Sequence, residues 1–548
     1  MSENNLSQNN TSLDSQNNIN FNDLIEKALN SPNSLEIIQT VTNHYPEMRW
    51  LTGNTNSTPE AGFDSEGKAT YGEQIFPNLD KNLLIEFNRT AVGILILQWV
   101  FQNDYESFTN CQNENVKLSR ESFEHLKQYI HKILPDYEAV DAMIVYMVIN
   151  DLTKIKSIIK EIQDKAGIQE IDHDKLLLVA LRDHPETSVS YGRLSPKYQK
   201  LILNGLSAEF NIGQFVQGEN VPASLKGLKS IDKDSLDFFL LHALCDIAGA
   251  AGQFIQNGSI VMTEASYLGF HQSISSLEML NNGAGVEEVY NNYLFLKSKD
   301  LGLNIEDLTE KAITRICCML RYSNFDQAKE VKEVFLKLPI NVQSILELEL
   351  NKNGVNDGFA IIIYYSPALL VNLQKSMKDN FQEGLTIGLT TFARIYQESR
   401  ISIRKRQGNG VFTVMASTIA KMASENPLEI NKHEIYLEEV QNDAEAKLTP
   451  FPTIDKTIFP TINSLSEIKG STILPVGVGG GSDCVQAAQL AELLIEAGKK
   501  IPAIVSVRTN TTSSQGTDGK IGEDRTPENA EEISQGVFLI NPNTRMKG

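Results

Sequence analysis

The chain has 548 residues, of which 41% are hydrophobic and 22% charged, ample apolar material for one or more sizeable cores. Lys and Arg number 49 against 69 Asp and Glu, a formal net charge of −20. That balance argues against the basic surfaces that bind nucleic acid by counterion release or grip an anionic membrane, and leaves a small molecule or another protein as the expected partner. Five cysteines, an odd number with no CxxC pair, argue against a disulfide framework or zinc finger and fit a reducing, cytoplasmic compartment.

Residues 1–20 are mostly Asn, Ser and Gln, with too little apolar content to offset the entropy of ordering, and are expected to be disordered. They carry no basic n-region or apolar h-region of a signal peptide. Residues 51–78, rich in Gly, Asn, Thr and Pro, read as an irregular loop. The apolar run Ala91–Phe101 is too short to cross a bilayer and reads as a buried helix. Helical periodicity then recurs over 80–101, 119–133, 138–164, 195–211, 235–257, 308–321, 326–338, 343–352, 367–379 and 382–404, with Pro135 as a stop. The fold class is therefore mainly α, with one helical domain over 21–447. Residues 448–469 carry three prolines and read as a linker. Beyond them, 471–478 and 501–507 read as buried parallel strands around a helix over 484–498, and 531–540 as a helix end running into a third strand. So few elements make an incomplete Rossmann-like α/β unit over 470–548, one that packs on the helical domain or is finished by further sequence.

Of eight histidines, five lie between residues 125 and 242. Within that stretch an apolar helix, DAMIVYMVINDLTK over 141–154, ends in Asn-Asp-Leu-Thr-Lys. This ending resembles the signature of the HD superfamily of metal-dependent phosphohydrolases, His-Asp-x-Gly-Lys. Asp151 and Lys154 match; Asn150 stands for the histidine and Thr153 for the glycine. The family places a histidine on the preceding helix, where His125 and His131 both qualify and His125 fits the distance better. His173, and His184 in His-Pro-Glu, follow downstream. Asp246 in FFLLHALCDIAGAAG matches the closing aspartate, with His242 four residues before it on the same helical face. The small residues 248–252 would let another backbone approach closely.

The resemblance implies a divalent metal (Mn, Fe, Ni, Zn or Mg) held by His125, Asp151, His173, His184, His242 and Asp246, a set of donors suited to such ions. It implies hydrolysis of a nucleotide or other small phosphate ester through a metal-activated water, with Lys154 and Glu186 in catalytic roles. Each residue also has a plain alternative: a core histidine for His242, a solvated helix end for Asp151, surface or loop residues for the others. Asn150 favours a second expectation, a non-catalytic ligand-sensing or protein-interaction module on a degenerate HD scaffold, which the Asn-rich start also makes compatible with a bacterial effector delivered to a host cytosol.

Two further segments stand out. Glu209–Leu225 could line a polar pocket through Gln214, Gln217, Glu219 and Asn220, or be a polar bend between helices. Arg400–Arg406 is the one dense basic cluster, able to grip a phosphate or to serve as a solvated helix end. In the C-terminal part, VGVGGGSD over 476–483 runs from a strand into glycines that let backbone approach an anion. It is similar to the opening of an uncharacterised bacterial and archaeal domain family, which implies no activity and in which Gly479, Gly480, Gly481 and Asp483 are the matching positions; the loop itself makes these candidate cofactor-binding positions and keeps open a nucleotide-using transferase with further C-terminal sequence.

Overall fold

A computed structural model describes residues 20–55, 67–167, 173–404, 406–440 and 443–450, and four strand segments beyond them. The chain is mainly α-helical. It divides into two units, residues 1–371 with 407–413, and residues 372–406 with 414–548. The division thus falls inside the span read from sequence as one helical domain.

The first unit is built around three helices, Ile85–Phe101, Tyr137–Asn150 and Lys233–Gly249. The first two are apolar almost all round, the pattern of a helix with no solvent face, and nearly every residue of theirs is buried. Lys81–Phe101 is long and apolar enough to cross a membrane by length and composition, but here most of it is packed inside the protein. Where Ile85–Phe101 meets Lys233–Gly249, a Cβ at Gly249 would fall 2.5 Å from the Arg89 carbonyl oxygen and 2.7 Å from the Gly93 nitrogen. Glycine is the residue this approach permits, as the small-residue run suggested. One contiguous hydrophobic core joins these helices to their neighbours, from Ile25 to Cys318.

Local signals set the ends. Ser119 accepts from the Ser122 N–H to cap Arg120–Ile133, Asp136 from the Ala139 N–H, and Asp232 from the Ser235 N–H, three side-chain caps of the kind that satisfy free amides at a helix start. The helix expected over 138–164 is broken. Tyr137–Asn150 stops at Asp151, a short 3-10 turn covers Leu152–Lys154, Ile155 is extended, and Lys156–Ala166 resumes. Ile155 bridges to Thr55, and the Lys156 N–H donates to the Asn54 carbonyl at 3.0 Å. These contacts from a distant segment offset the lost helical hydrogen bonds and throw Asp151 and Lys154 into a turn. Within the expected 51–78 loop, Tyr71–Ile75 forms a helix closed by a Thr70–Glu73 capping box.

Strands that the helical reading did not anticipate are β1 (Phe359–Tyr364), β2 (Gly410–Met415), β3 (His433–Val440) and β4 (Asp443–Pro450). β1 is a continuous apolar run, buried at its four central positions, a pattern that period alone cannot tell from a short helix. In the second unit the end of β2 pairs in parallel with β4, Val414 opposite Ala444, and β3 and β4 pair antiparallel along their length. The linker expected from 448 therefore begins inside β4. The helices Phe381–Ile403 and Ser417–Glu425 pack on β3 and β4 respectively.

Toward the C-terminus lie β5 (Val476–Val478), β6 (Ile504–Val507), β7 (Glu531–Ser534) and β8 (Val537–Ile540), in the order β5-β6-β8-β7. The three expected strands are present, and β5 and β6 are parallel as expected. Two points are corrected. β8 runs antiparallel to β6, and 531–534, expected as a helix end, is a strand antiparallel to β8. The two residues between β7 and β8 are enough for the antiparallel return between those two strands. The helix expected over 484–498 lies outside the described residues.

Candidate functional site

The turn at Asp151 brings residues of four helices into one buried charge cluster. Glu86 and Arg89 come from the first turn of Ile85–Phe101, with Arg89 Nη1 3.9 Å from Glu86 Oε2. Asp151 is buried, and its Oδ1 accepts from Lys154 Nζ at 2.6 Å and from Asn150 Nδ2 at 3.0 Å. The Glu86 side chain also lies within hydrogen-bonding reach of Asp151. Thr55 Oγ1 donates to Glu86 Oε1 at 3.0 Å. His242 and Asp246 project from Lys233–Gly249; the charge on Asp151 acts on both, and His173, at the start of His173–Asp183, acts on Asp246. Two residues 95 positions apart, Asp151 and Asp246, thus share one electrostatic environment.

The environment splits their protonation. Burial pushes Asp151 up, but the Lys154 and Arg89 cations overcome it and hold its carboxyl well below the usual range. Burial and then the neighbouring Asp151 charge push Asp246 up. Lys154 loses some basicity to burial and gains more from Asp151, Asp246 and Glu86, so it stays charged. Burial takes His242 down to about 3, and the neutral ring stacks on Tyr146 with centroids 3.8 Å apart. The two cations, Lys154 and Arg89, stand among the carboxyls of Asp151, Asp246 and Glu86 and offset much of their charge.

That balance decides whether a divalent metal fits. Its natural place, against Asp151, is taken by the Lys154 ammonium, and Asn150 turns its amide N–H rather than its oxygen toward that carboxylate. Among the described residues no group of three or more His, Cys, Asp or Glu side chains stands so as to hold a metal ion. The arrangement does not fit the metal that the HD resemblance implies.

His125 and His184, expected in the same ligand set, are used elsewhere. His125 is exposed and faces His271 in a separate cavity. His184 Nδ1 lies 3.4 Å from Glu186 Oε1, with the Glu186 side chain 75% exposed, so the expected catalytic Glu186 sits on a surface turn. Gly479, Gly480, Gly481 and Asp483 lie outside the described residues. Sequence reasoning missed Glu86, Arg89 and Tyr146. The signal for the first two was an ionisable pair inside an otherwise apolar helix; for Tyr146 there was none, since an aromatic on a buried helix reads as core.

Glu219, singled out as a pocket residue, is buried and accepts from the Ser366 backbone N–H at 3.1 Å. Burial raises it to about 7. The neighbouring Arg315, also buried, donates instead to the Gly218, Glu219, Asn220 and Leu350 carbonyls. Around Glu219 and Arg315 this segment is a packed junction.

No curated protein and no solved structure matches the chain. Residues 38–427, well over half of the chain and including every member of the charge cluster, match a family described as a family of unknown function, DUF6829, and the chain belongs to that family.

Proposed function

We propose that the helical unit is a non-catalytic ligand-sensing or protein-interaction module on a degenerate HD-type scaffold, in which a buried ion-pair cluster stands where the metal centre would be. The observation that carries this reading is the Lys154 ammonium 2.6 Å from Asp151 Oδ1, with Asn150 donating to the same oxygen. A lysine so placed neutralises the carboxylate that would otherwise attract a dication. The Asn-Asp-Leu-Thr-Lys ending then has a physical role of its own: it closes a helix and supplies both halves of an internal ion pair.

A second reading, a metal-dependent phosphohydrolase or phosphodiesterase acting on a nucleotide or small phosphate ester, is favoured by the neutral His242 beside Asp151 and Asp246. It requires Lys154 to leave Asp151. The two separate on metal content. The purified chain is incubated in turn with Mn, Fe, Ni and Zn, desalted and analysed, alongside Asp246→Asn. The module reading expects no stoichiometric metal and no rise in melting temperature. One metal per chain, lost in Asp246→Asn together with phosphodiester hydrolysis, overturns it.

A further inference from the structure

Helices Arg120–Ile133 and Glu264–Leu277 enclose, with Leu244, a cavity of about 190 Å³. His125, Tyr129 and Lys132 line it from the first helix, Tyr267 and His271 from the second, and Glu278 from the residue after it. None of these belongs to the charge cluster.

Three rings present near-parallel planes. His125 and His271 have centroids 6.4 Å apart at 22°, and His271 and Tyr267 5.9 Å apart at 23°. These separations lie within the roughly 4.5–7 Å of paired aromatic rings, so the three rings form one continuous aromatic wall of the cavity rather than a slot between them. Burial and the neighbouring His125 lower the His271 pKa, which keeps that imidazole a neutral aromatic surface and argues against an anion as occupant. Tyr129 Oη is buried and has no hydrogen-bond partner among the described residues. Burial raises the Tyr129 pKa well above its ordinary value, so it remains a phenol with a proton to donate. A buried hydroxyl left unpaired costs about 1–3 kcal/mol, a cost that a ligand acceptor would remove. At the mouth, Lys132 and Glu278 stand 3.7 Å apart, both partly exposed.

We propose that this cavity binds a small planar heteroaromatic of one or two fused rings, packed against the His125, His271 and Tyr267 rings and accepting a hydrogen bond from Tyr129 Oη through a ring nitrogen. The volume is below the roughly 300–1,000 Å³ of pockets for drug-sized ligands, which limits the occupant to one small ring system. A hydrocarbon ring would leave the Tyr129 hydroxyl unpaired, and a saturated ring would lose the stacking. The proposal holds whether or not the charge cluster takes a metal, because metal analysis reads the cluster and ligand binding reads this cavity.

The test uses the full chain and saturation-transfer NMR with adenine, benzimidazole and quinoline, each carrying a ring-nitrogen acceptor, and cyclohexanol as the saturated control. At least one heteroaromatic should bind at millimolar concentration or below, and cyclohexanol should not. His125→Ala, at an exposed position, should weaken binding about tenfold. Tyr129→Phe, which removes only the unpartnered hydroxyl, should weaken it about three- to tenfold without lowering the melting temperature; should one variant fail to fold, the other decides. The proposal is overturned if no heteroaromatic binds, if cyclohexanol binds equally, or if the folded variants bind as the parent does.

Discussion

Lys154 and Asp151 pose the sharpest question at the scale of single residues, because burying either without the other leaves an uncompensated charge. Removing one partner of a buried pair costs about 3–5 kcal/mol, whereas removing both is far milder. Lys154→Met should therefore destabilise the protein by about that amount in urea, and Lys154→Met with Asp151→Asn should recover much of it; additive losses would sink the pairing. His242 supplies a pH test. Its folded pKa of about 3 lies below the ordinary histidine value of 6.5, so the folded state disfavours protonation. Its contribution is present above pH 6.5 and is lost as pH falls from there toward 3. His242→Phe, which keeps a ring against Tyr146, should flatten that part of the stability profile. Glu219 has the opposite sign. Its folded pKa of about 7 exceeds the 4.5 of an ordinary glutamate, so stability is full below about 4.5 and falls as pH rises to 7. At about 1.4 kcal/mol per unit, Glu219→Gln should gain about 3 kcal/mol on the parent across that window. A difference between the two curves that does not vary with pH would refute the assignment.

Whole elements test the close crossing of Ile85–Phe101 and Lys233–Gly249. Because a Cβ on Gly249 would meet backbone of the facing helix at 2.5 Å, no rotamer change relieves the clash and the helices must separate. Gly249→Ala should cost at least the roughly 1–3 kcal/mol of overpacking, even though alanine favours a helix in isolation. The same change at Gly283, where φ is +87° but nothing lies within 4 Å, should cost only backbone strain. Equal losses in thermal denaturation would deny the crossing its role. These elements also mark what the sequence made legible. The helices named from period are present, as with Arg120–Ile133, but Phe21–Leu29, Ser34–His44, His173–Asp183, Glu264–Leu277 and Val286–Leu301 were not named. The break at Asp151 was not legible, because its causes are the Thr55 bridge and the Asn54 carbonyl, contacts from a hundred residues away. β1 was missed because six consecutive apolar residues carry no period, and the antiparallel β8 because strand direction is set by pairing.

Taken as a whole, the molecule places Asp151, Asp246, His242 and His173 in one electrostatic environment, and the chemistry around them was only half legible in the sequence. The ligand types could be read from the chain; Glu86 and Arg89, which settle the charge balance, could not, because their part depends on which helix faces the turn. Net charge is the one whole-molecule property that needs no fold. At −20, counterion release on a phosphate backbone is opposed across most of the surface, since each phosphate contact requires a cation to replace a bound ion. Fluorescence anisotropy with a labelled duplex of unrelated sequence, at 50 mM salt where such contacts are strongest, should detect no binding at micromolar protein. The residues that could defeat this expectation are Arg400, Arg404 and Arg406, the densest basic run in the chain. If binding appears and falls steeply with salt, and an Arg400→Ser, Arg404→Ser, Arg406→Ser variant abolishes it, local charge has overruled the global balance and the exclusion of nucleic acid is wrong.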